Sequence, residues 1–186
     1  VGPEGSSVGF ASINSFLAGV FKFNPLWYRI SEALGYVAIG LCVIFVIIGI
    51  VQMVQRKSLG GIDRVLLVQG FFYAAIIALY ILFDKLAITN APVLINGELQ
   101  PSFPSSHVVL VCCVMGMAII AFDFLIESIG LRVMAALACW GIILLMCVGR
   151  LISGVHWFTD IVAGIMISIS VVAFYHAIVL MPEREE

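Results

Sequence analysis

The chain has 186 residues, 63% of them hydrophobic and only 11% charged, with a mean hydropathy of +1.19; soluble domains carry roughly 25% charged residues. A net charge of −2 offers no basic footprint for nucleic acid. These bounds exclude an ordinary soluble enzyme and point to a single integral membrane domain, residues 1–186, whose partners are lipids.

Residues 1–31 read as an interfacial segment. After a Gly/Ser-rich start, Phe10, Ile13, Phe16, Leu17, Val20 and Phe21 recur at helical spacing, which predicts a short amphipathic helix on the membrane surface. Trp27, Tyr28 and Arg29 then suit an anchor at the membrane edge. No basic segment followed by a short apolar core opens the chain, so no signal peptide is expected there.

The apolar run at 33–54 is long enough to cross a bilayer core of about 30 Å. Further spans are predicted at 65–83, 107–125, 133–149 and 160–181, giving an all-α bundle of about five transmembrane helices. The one long polar connection, 86–106, carries Pro92, Pro101, Pro104 and an Asn96–Gly97 turn signal, and its length makes it a candidate functional loop. Cys42, Cys112, Cys113, Cys139 and Cys147 all lie inside apolar runs without metal or redox spacing, and read as small core residues. Gly164 and Ser168 form a small-residue pair suited to close helix approach.

An odd number of spans puts the chain ends on opposite sides. One side holds Arg56, Lys57, Arg64, Arg132 and Arg184; the other holds Lys22, Arg29, Lys85 and Arg150. If Lys85 and Arg150 serve function, the structural bias favours a cytoplasmic C-terminus. The 86–106 loop and the stretch Arg150–Asp160 then face outward together.

Ionisable residues at this depth are functional candidates by default. His156 and Asp160 are four apart, so they share a helix face if the last span begins near His156, and the carboxylate can then orient the imidazole. Ser105 and Ser106 stand at the start of the third span, where free N–H groups and the helix dipole make an anion site, and His107 follows them. Lys85 and Arg150 add two cations on the same side. Cations disfavour a metal site and favour a phosphate site. His176 and Asp123 each lie sixteen residues, about 24 Å, beyond a site residue on the same helix and are excluded.

Pro104-Ser105-Ser106-His107 resembles the Pro-Ser-Gly-His motif of the phosphatidic acid phosphatase type 2 superfamily. Arg150, five residues, His156, three residues and Asp160 are similar to that family's third motif. The resemblance implies a membrane lipid phosphatase of bacterial cell membranes, acting at the outer membrane edge without metal or cofactor. His156 would attack phosphorus to form a phosphohistidine, Asp160 would orient it and His107 would protonate the leaving oxygen. Arg150, Ser105 and N–H groups near Ser106 would hold the phosphate, with Lys85 in the place of the first motif's lysine. Undecaprenyl diphosphate is the first substrate expected by analogy with family members.

Three positions depart from the pattern. Ser106 replaces the motif glycine, and Gly149 stands where serine is common before the arginine. The first motif's Arg-Pro is here Ala91-Pro92, so its arginine is absent. Losing one preorganised donor costs on the order of 3 kcal/mol in a transition state, which keeps open a catalytically weakened or inactive lipid-phosphate-binding membrane protein of the same fold; a metal-dependent membrane hydrolase using His107, His156 and Asp160 is a separate, third reading.

Overall fold

The computed structural model describes residues 2–95 and 97–181; Asn96 of the expected turn and Arg184 of the topology count lie outside the described residues. Among these residues the chain is helical without strands, and five helices are long and apolar enough to cross a membrane. They are α2 (Pro25–Arg56), α3 (Arg64–Leu86), α4 (Ser106–Leu125), α5 (Ile129–Ser153) and α6 (Phe158–Leu180), preceded by the short α1 (Ala11–Val20).

α4 is the axis of the bundle. Val108, Val111, Cys113, Val114, Met117, Ala118 and Ala121 have no exposed surface, and α2, α3, α5 and α6 pack around them. Two small residues let α6 come close: a Cβ at Gly116 would stand 2.8 Å from Val172 Cγ2, and one at Gly164 would stand 3.0 Å from Val108 Cγ1. The expected Gly164–Ser168 pair is therefore a packing device; the Ser168 hydroxyl is satisfied by donating to Gly164 O at 2.7 Å. The outer faces remain apolar, with Leu137, Trp140, Leu144, Met166, Ile169 and Phe174 exposed. Such faces belong against hydrocarbon. All five thiols are free and buried or half-buried, as expected of core cysteines.

α2 starts eight residues before the predicted span, so Trp27, Tyr28 and Arg29 form its first turns rather than a preceding anchor. The cause is local. Asn24 Oδ1 accepts from Leu26 N and Trp27 N at 3.1 and 3.2 Å, and Pro25 occupies a first-turn position that needs no N–H. At 32 residues α2 reaches about 48 Å, carrying its first turns beyond the hydrocarbon.

α1 docks through its polar side. Buried Asn14 donates to Thr159 Oγ1 at 2.9 Å and accepts from Thr159 N at 3.2 Å, tying α1 to the start of α6. Phe10, Ile13, Phe16 and Val20 stay exposed, an apolar face suited to the lipid boundary.

At the end away from α1, Asp63 exchanges two 2.8 Å hydrogen bonds with Gln52 and pairs with Arg56 at 2.7 Å. That Arg56 bond holds the Asp63 carboxyl below the usual carboxylate range. Arg64 donates to Ile178 O at 2.9 Å and to Met181 O, closing the end of α6.

Gly154 ends α5 with φ +68°, and a Cβ there would lie 2.7 Å from Phe21 O, while Asn24 N donates to Ser153 O at 3.0 Å. This contact seats the α1–α2 link against the turn that carries His156. Gly154→Ala should lower stability by more than the ~1–2 kcal/mol of the left-handed conformation alone. Gly141→Ala, at a helical glycine with open space around its Cβ position, should be neutral or slightly stabilising. Thermal unfolding in detergent distinguishes the two.

Candidate active site

Three helix ends and one turn meet at the α1 end of the bundle. α5 brings Arg150 in its last turn, α4 brings Ser106 and His107 in its first, and the 154–157 turn brings His156 just ahead of α6. α2 adds Tyr28 and Glu32.

Arg150 is 2% exposed. Its Nη2 donates to Glu32 Oε1 at 2.8 Å, and its Cζ lies 5.6 Å from the centre of the Tyr28 ring, within cation–π range. His107 Nε2 lies 3.0 Å from the same Glu32 oxygen. Gly35, one turn along α2 from Glu32, makes this possible, because a Cβ there would stand 3.1 Å from His107 Cδ2. Removing Glu32 leaves the guanidinium charge buried without its partner, a change that costs about 3–5 kcal/mol.

His156 and Asp160 are adjacent but not by helical register. α6 begins at Phe158, so His156 precedes it on a bend, and its Nδ1 is 3.6 Å from Asp160 Oδ2. Fully buried Asp160 uses Oδ2 to accept from Trp157 N at 3.0 Å, capping α6. Its Oδ1 and His156 Nδ1 have no hydrogen-bond partner. A modest tightening of this turn would give the orienting bond, since such bonds are often long before substrate binds. Burial holds His156 below the usual imidazole range, an effect that Asp160 only partly offsets. The neutral ring is the form able to attack an electrophile.

The loop before α4 is folded back on itself. Ala91 N donates to Gln100 O at 2.9 Å and Ser102 N to Thr89 O at 2.8 Å, while Trp157 Nε1 donates to Asn90 O at 2.6 Å. Trp157 thus clamps the loop to the His156 turn. Ser105 N donates to Asp160 O at 3.2 Å, joining the starts of α4 and α6.

Arg150, His107 and His156 line the polar end of a cavity of about 880 Å³, together with Glu32, Ser102 and Ser106. Its walls run down between α2, α3 and α4, past Ile39, Val43, Ile47, Ile76 and Ile77. From Glu32 to Ile47 is fifteen residues, about 22 Å along the helix. The cavity is a polar head site with an apolar trough reaching well into the membrane. The backbone N–H groups at the start of α4 lack intrahelical partners by the geometry of a helix N-terminus and are available to an anion.

Other expected members lie elsewhere. Ser105 is the N-cap residue of α4, but its hydroxyl makes no capping bond and is fully buried behind the cavity wall without a partner. Lys85 is exposed and absent from the cavity lining, where Asp84 appears instead; one residue on a helix turns a side chain by about 100°. Ala91 has no exposed surface, so an arginine there would have to displace its neighbours. Asp123 pairs with Arg132 at 3.4 Å at the far end, and His176 is exposed in the last turns of α6. Neither lines the cavity. Among the described residues no three His, Cys, Asp or Glu side chains group so as to hold a metal ion.

Glu32 belongs to none of the sequence motifs. Its signal was present: an acid inside a helix that is otherwise almost wholly apolar. Starting the span at 33 placed this carboxylate outside it.

The model of the PAP2 superfamily matches residues 69–184, more than half of the chain. The chain belongs to the PAP2 superfamily. A solved structure described as the first transmembrane PAP2 type phosphatidylglycerolphosphate phosphatase from Bacillus subtilis aligns over 92% of this chain and 94% of its own, with TM-score 0.55 and 22% identity. That likeness shows a shared transmembrane PAP2 fold. No curated protein matches the chain. The chain is thus a PAP2 protein with five helices long and apolar enough to cross a membrane among the described residues.

The depressed basicity of His156 predicts a mostly neutral ring at pH 6.5, where a free imidazole is about half protonated. Because the unfolded chain binds this proton more readily, the site should also lose stability as pH falls below about 6.5. Imidazole nitrogen NMR on ¹⁵N-histidine protein, with His156→Gln to assign the signal, checks this; a ring protonated above pH 6.5 contradicts it.

Proposed function

We propose that this PAP2 protein hydrolyses a lipid phosphate or diphosphate, with undecaprenyl diphosphate the first candidate, through a phosphohistidine at His156. The observation that carries the reading is the meeting of Arg150, His107 and His156 at the polar end of a cavity with long apolar walls. A polar head fits one end and an isoprenoid or acyl tail the other.

In this reading His156 Nδ1 faces Asp160, leaving Nε2 to attack phosphorus in line as the bond to the leaving oxygen breaks. Asp160 supports the positive charge that develops on the ring. Arg150, the Ser106 hydroxyl and the free N–H groups at the start of α4 hold the phosphoryl oxygens, where fixed donors act most strongly. His107 gives its proton to the leaving oxygen and then takes one from the water that cleaves the P–N bond, restoring His156 and releasing phosphate. No step asks for a metal or another cofactor. Ser105 shapes the turn that presents Ser106 and His107, and Lys85 takes no part.

The site faces outward and the C-terminus is cytoplasmic in this account. The opposite end carries Arg56, Lys57, Arg64 and Arg132, the enrichment typical of cytoplasmic loops. The whole chain then works as one phosphatase domain.

A second reading, a weakened or inactive lipid-phosphate-binding protein, is favoured by one observation: Arg150 is the one cation lining the cavity among the described residues. Activity separates the two. Purified protein in detergent with excess chelator should release phosphate from undecaprenyl diphosphate or phosphatidate, and His156→Ala should abolish release. Silence of the wild-type chain on both lipids would favour the binding protein.

Leaving-group chemistry gives a further expectation. A lipid alkoxide needs protonation as it leaves, whereas a phosphate ester leaving a diphosphate needs it far less. His107→Ala should cost about 10²–10⁴-fold on phosphatidate and much less on the diphosphate. Equal losses on both lipids would contradict a general-acid role for His107.

A further inference from the structure

Arg150 Nη2 and His107 Nε2 come from different helices and converge on a single oxygen, Glu32 Oε1, at 2.8 and 3.0 Å. In the phosphatase reading above, on which this inference rests, the same two groups hold the phosphate and its leaving oxygen. A carboxylate oxygen and a phosphoryl oxygen are alike in charge and in accepting hydrogen bonds from these donors. Both cannot occupy one point.

We propose that Glu32 is a specificity-determining residue: its carboxylate competes with phosphate for the seat formed by Arg150 and His107, so that a phosphate carried on a lipid tail displaces it and a free phosphate does not.

The surroundings allow such an exchange. Arg150 is 2% exposed and braced against the Tyr28 ring, so the donor stays in place. The Glu32 side chain is 29% exposed and lines the cavity, so it has room to turn aside. The charges along the cavity also disfavour a bare anion, since the lining carries Glu32 and Asp84 against Arg150 alone. A soluble phosphate meets this competition with nothing to offset it. A lipid phosphate gains the burial of its tail in the trough and prevails.

The alternative role, a carboxylate that only balances buried Arg150 and steadies His107, makes the opposite prediction for binding. Loss of a structural partner damages the seat and weakens phosphate; loss of a competitor frees the seat and tightens it. The test is the affinity of the purified full chain in detergent for inorganic phosphate, by calorimetry, for wild type, Glu32→Gln and Glu32→Asp. The proposal expects Glu32→Gln to bind phosphate at least tenfold more tightly than wild type. Glu32→Asp, whose shortened side chain draws the charge back from Arg150, should fall between them. The aspartate variant keeps a charge near Arg150 and answers the question if the glutamine variant does not fold. Adding Arg150→Ala should remove the gain. Unchanged or weaker phosphate binding in Glu32→Gln, or in Glu32→Asp where it alone folds, overturns the proposal.

A second readout follows selectivity. The ratio of kcat/KM for long-chain over dihexanoyl phosphatidate should fall about tenfold in Glu32→Gln, and an unchanged ratio overturns the proposal. Calorimetry needs no turnover, so failure of the phosphatase reading, seen as no release from any lipid by wild type, is distinguishable from failure of this one.

Discussion

A guanidinium that is 2% exposed in an apolar helical bundle must have a partner, and that requirement organises one end of this molecule. Arg150 sits in the last turn of α5, and its partner Glu32 is 118 residues away on α2. The pair therefore fixes how two helices meet. Small residues let it form: Gly149 on α5 faces Trp27 and Ser31, with a Cβ position 3.4 Å from the Trp27 ring, while Gly35 leaves room for His107 to reach the same carboxylate. The ion pair, the imidazole and the tight α2 contact are one unit. Any ligand that takes over Arg150 must take over the role of that carboxylate as well.

Around this unit the local chemistry has more than one purpose. Asp160 caps α6 through Trp157 N and stands beside His156, so the start of a helix and the orientation of an imidazole depend on one carboxylate. Trp157 clamps the 87–105 connection through Asn90 O. Asn14 fixes α1 to Thr159 in the first turn of α6, which leaves Phe10 and Phe16 facing outward beside the head site. Loops, cap and surface helix are thus tied to the residues that present His156, while the trough is built from the helices α2, α3 and α4. The polar end is held by an ion pair and hydrogen bonds, and the trough by apolar helix packing.

The five spans were legible because apolar length is a robust signal, and their ends agree with the structure within a few residues except at α2. There the apolar run begins after Glu32, but Asn24 and Pro25 start the helix earlier, and a cap outranks hydropathy in deciding where a helix begins. Arg150, His107, His156, Ser106 and Asp160 were legible from type and spacing, and all lie in or against the same site. Lys85 is exposed outside the cavity lining while its neighbour Asp84 faces it, a difference of one step of helix rotation that spacing alone does not resolve. His156 and Asp160 come near each other through the turn ahead of α6 and not through helical register. Glu32 was invisible to motif reasoning, since its partners are brought to it by tertiary packing.

The proposed function depends on one step, the passage of a phosphoryl group from lipid to His156. The most direct measurement is a rapid mix of purified protein with lipid phosphate, an alkaline quench that preserves phosphohistidine, and mass spectrometry of the peptide spanning residues 151–160. Phosphate on His156 during turnover, absent in Asp160→Ala, is the expected result. Product formed at full rate with His156 unmodified, or phosphate found on His107 instead, would contradict it.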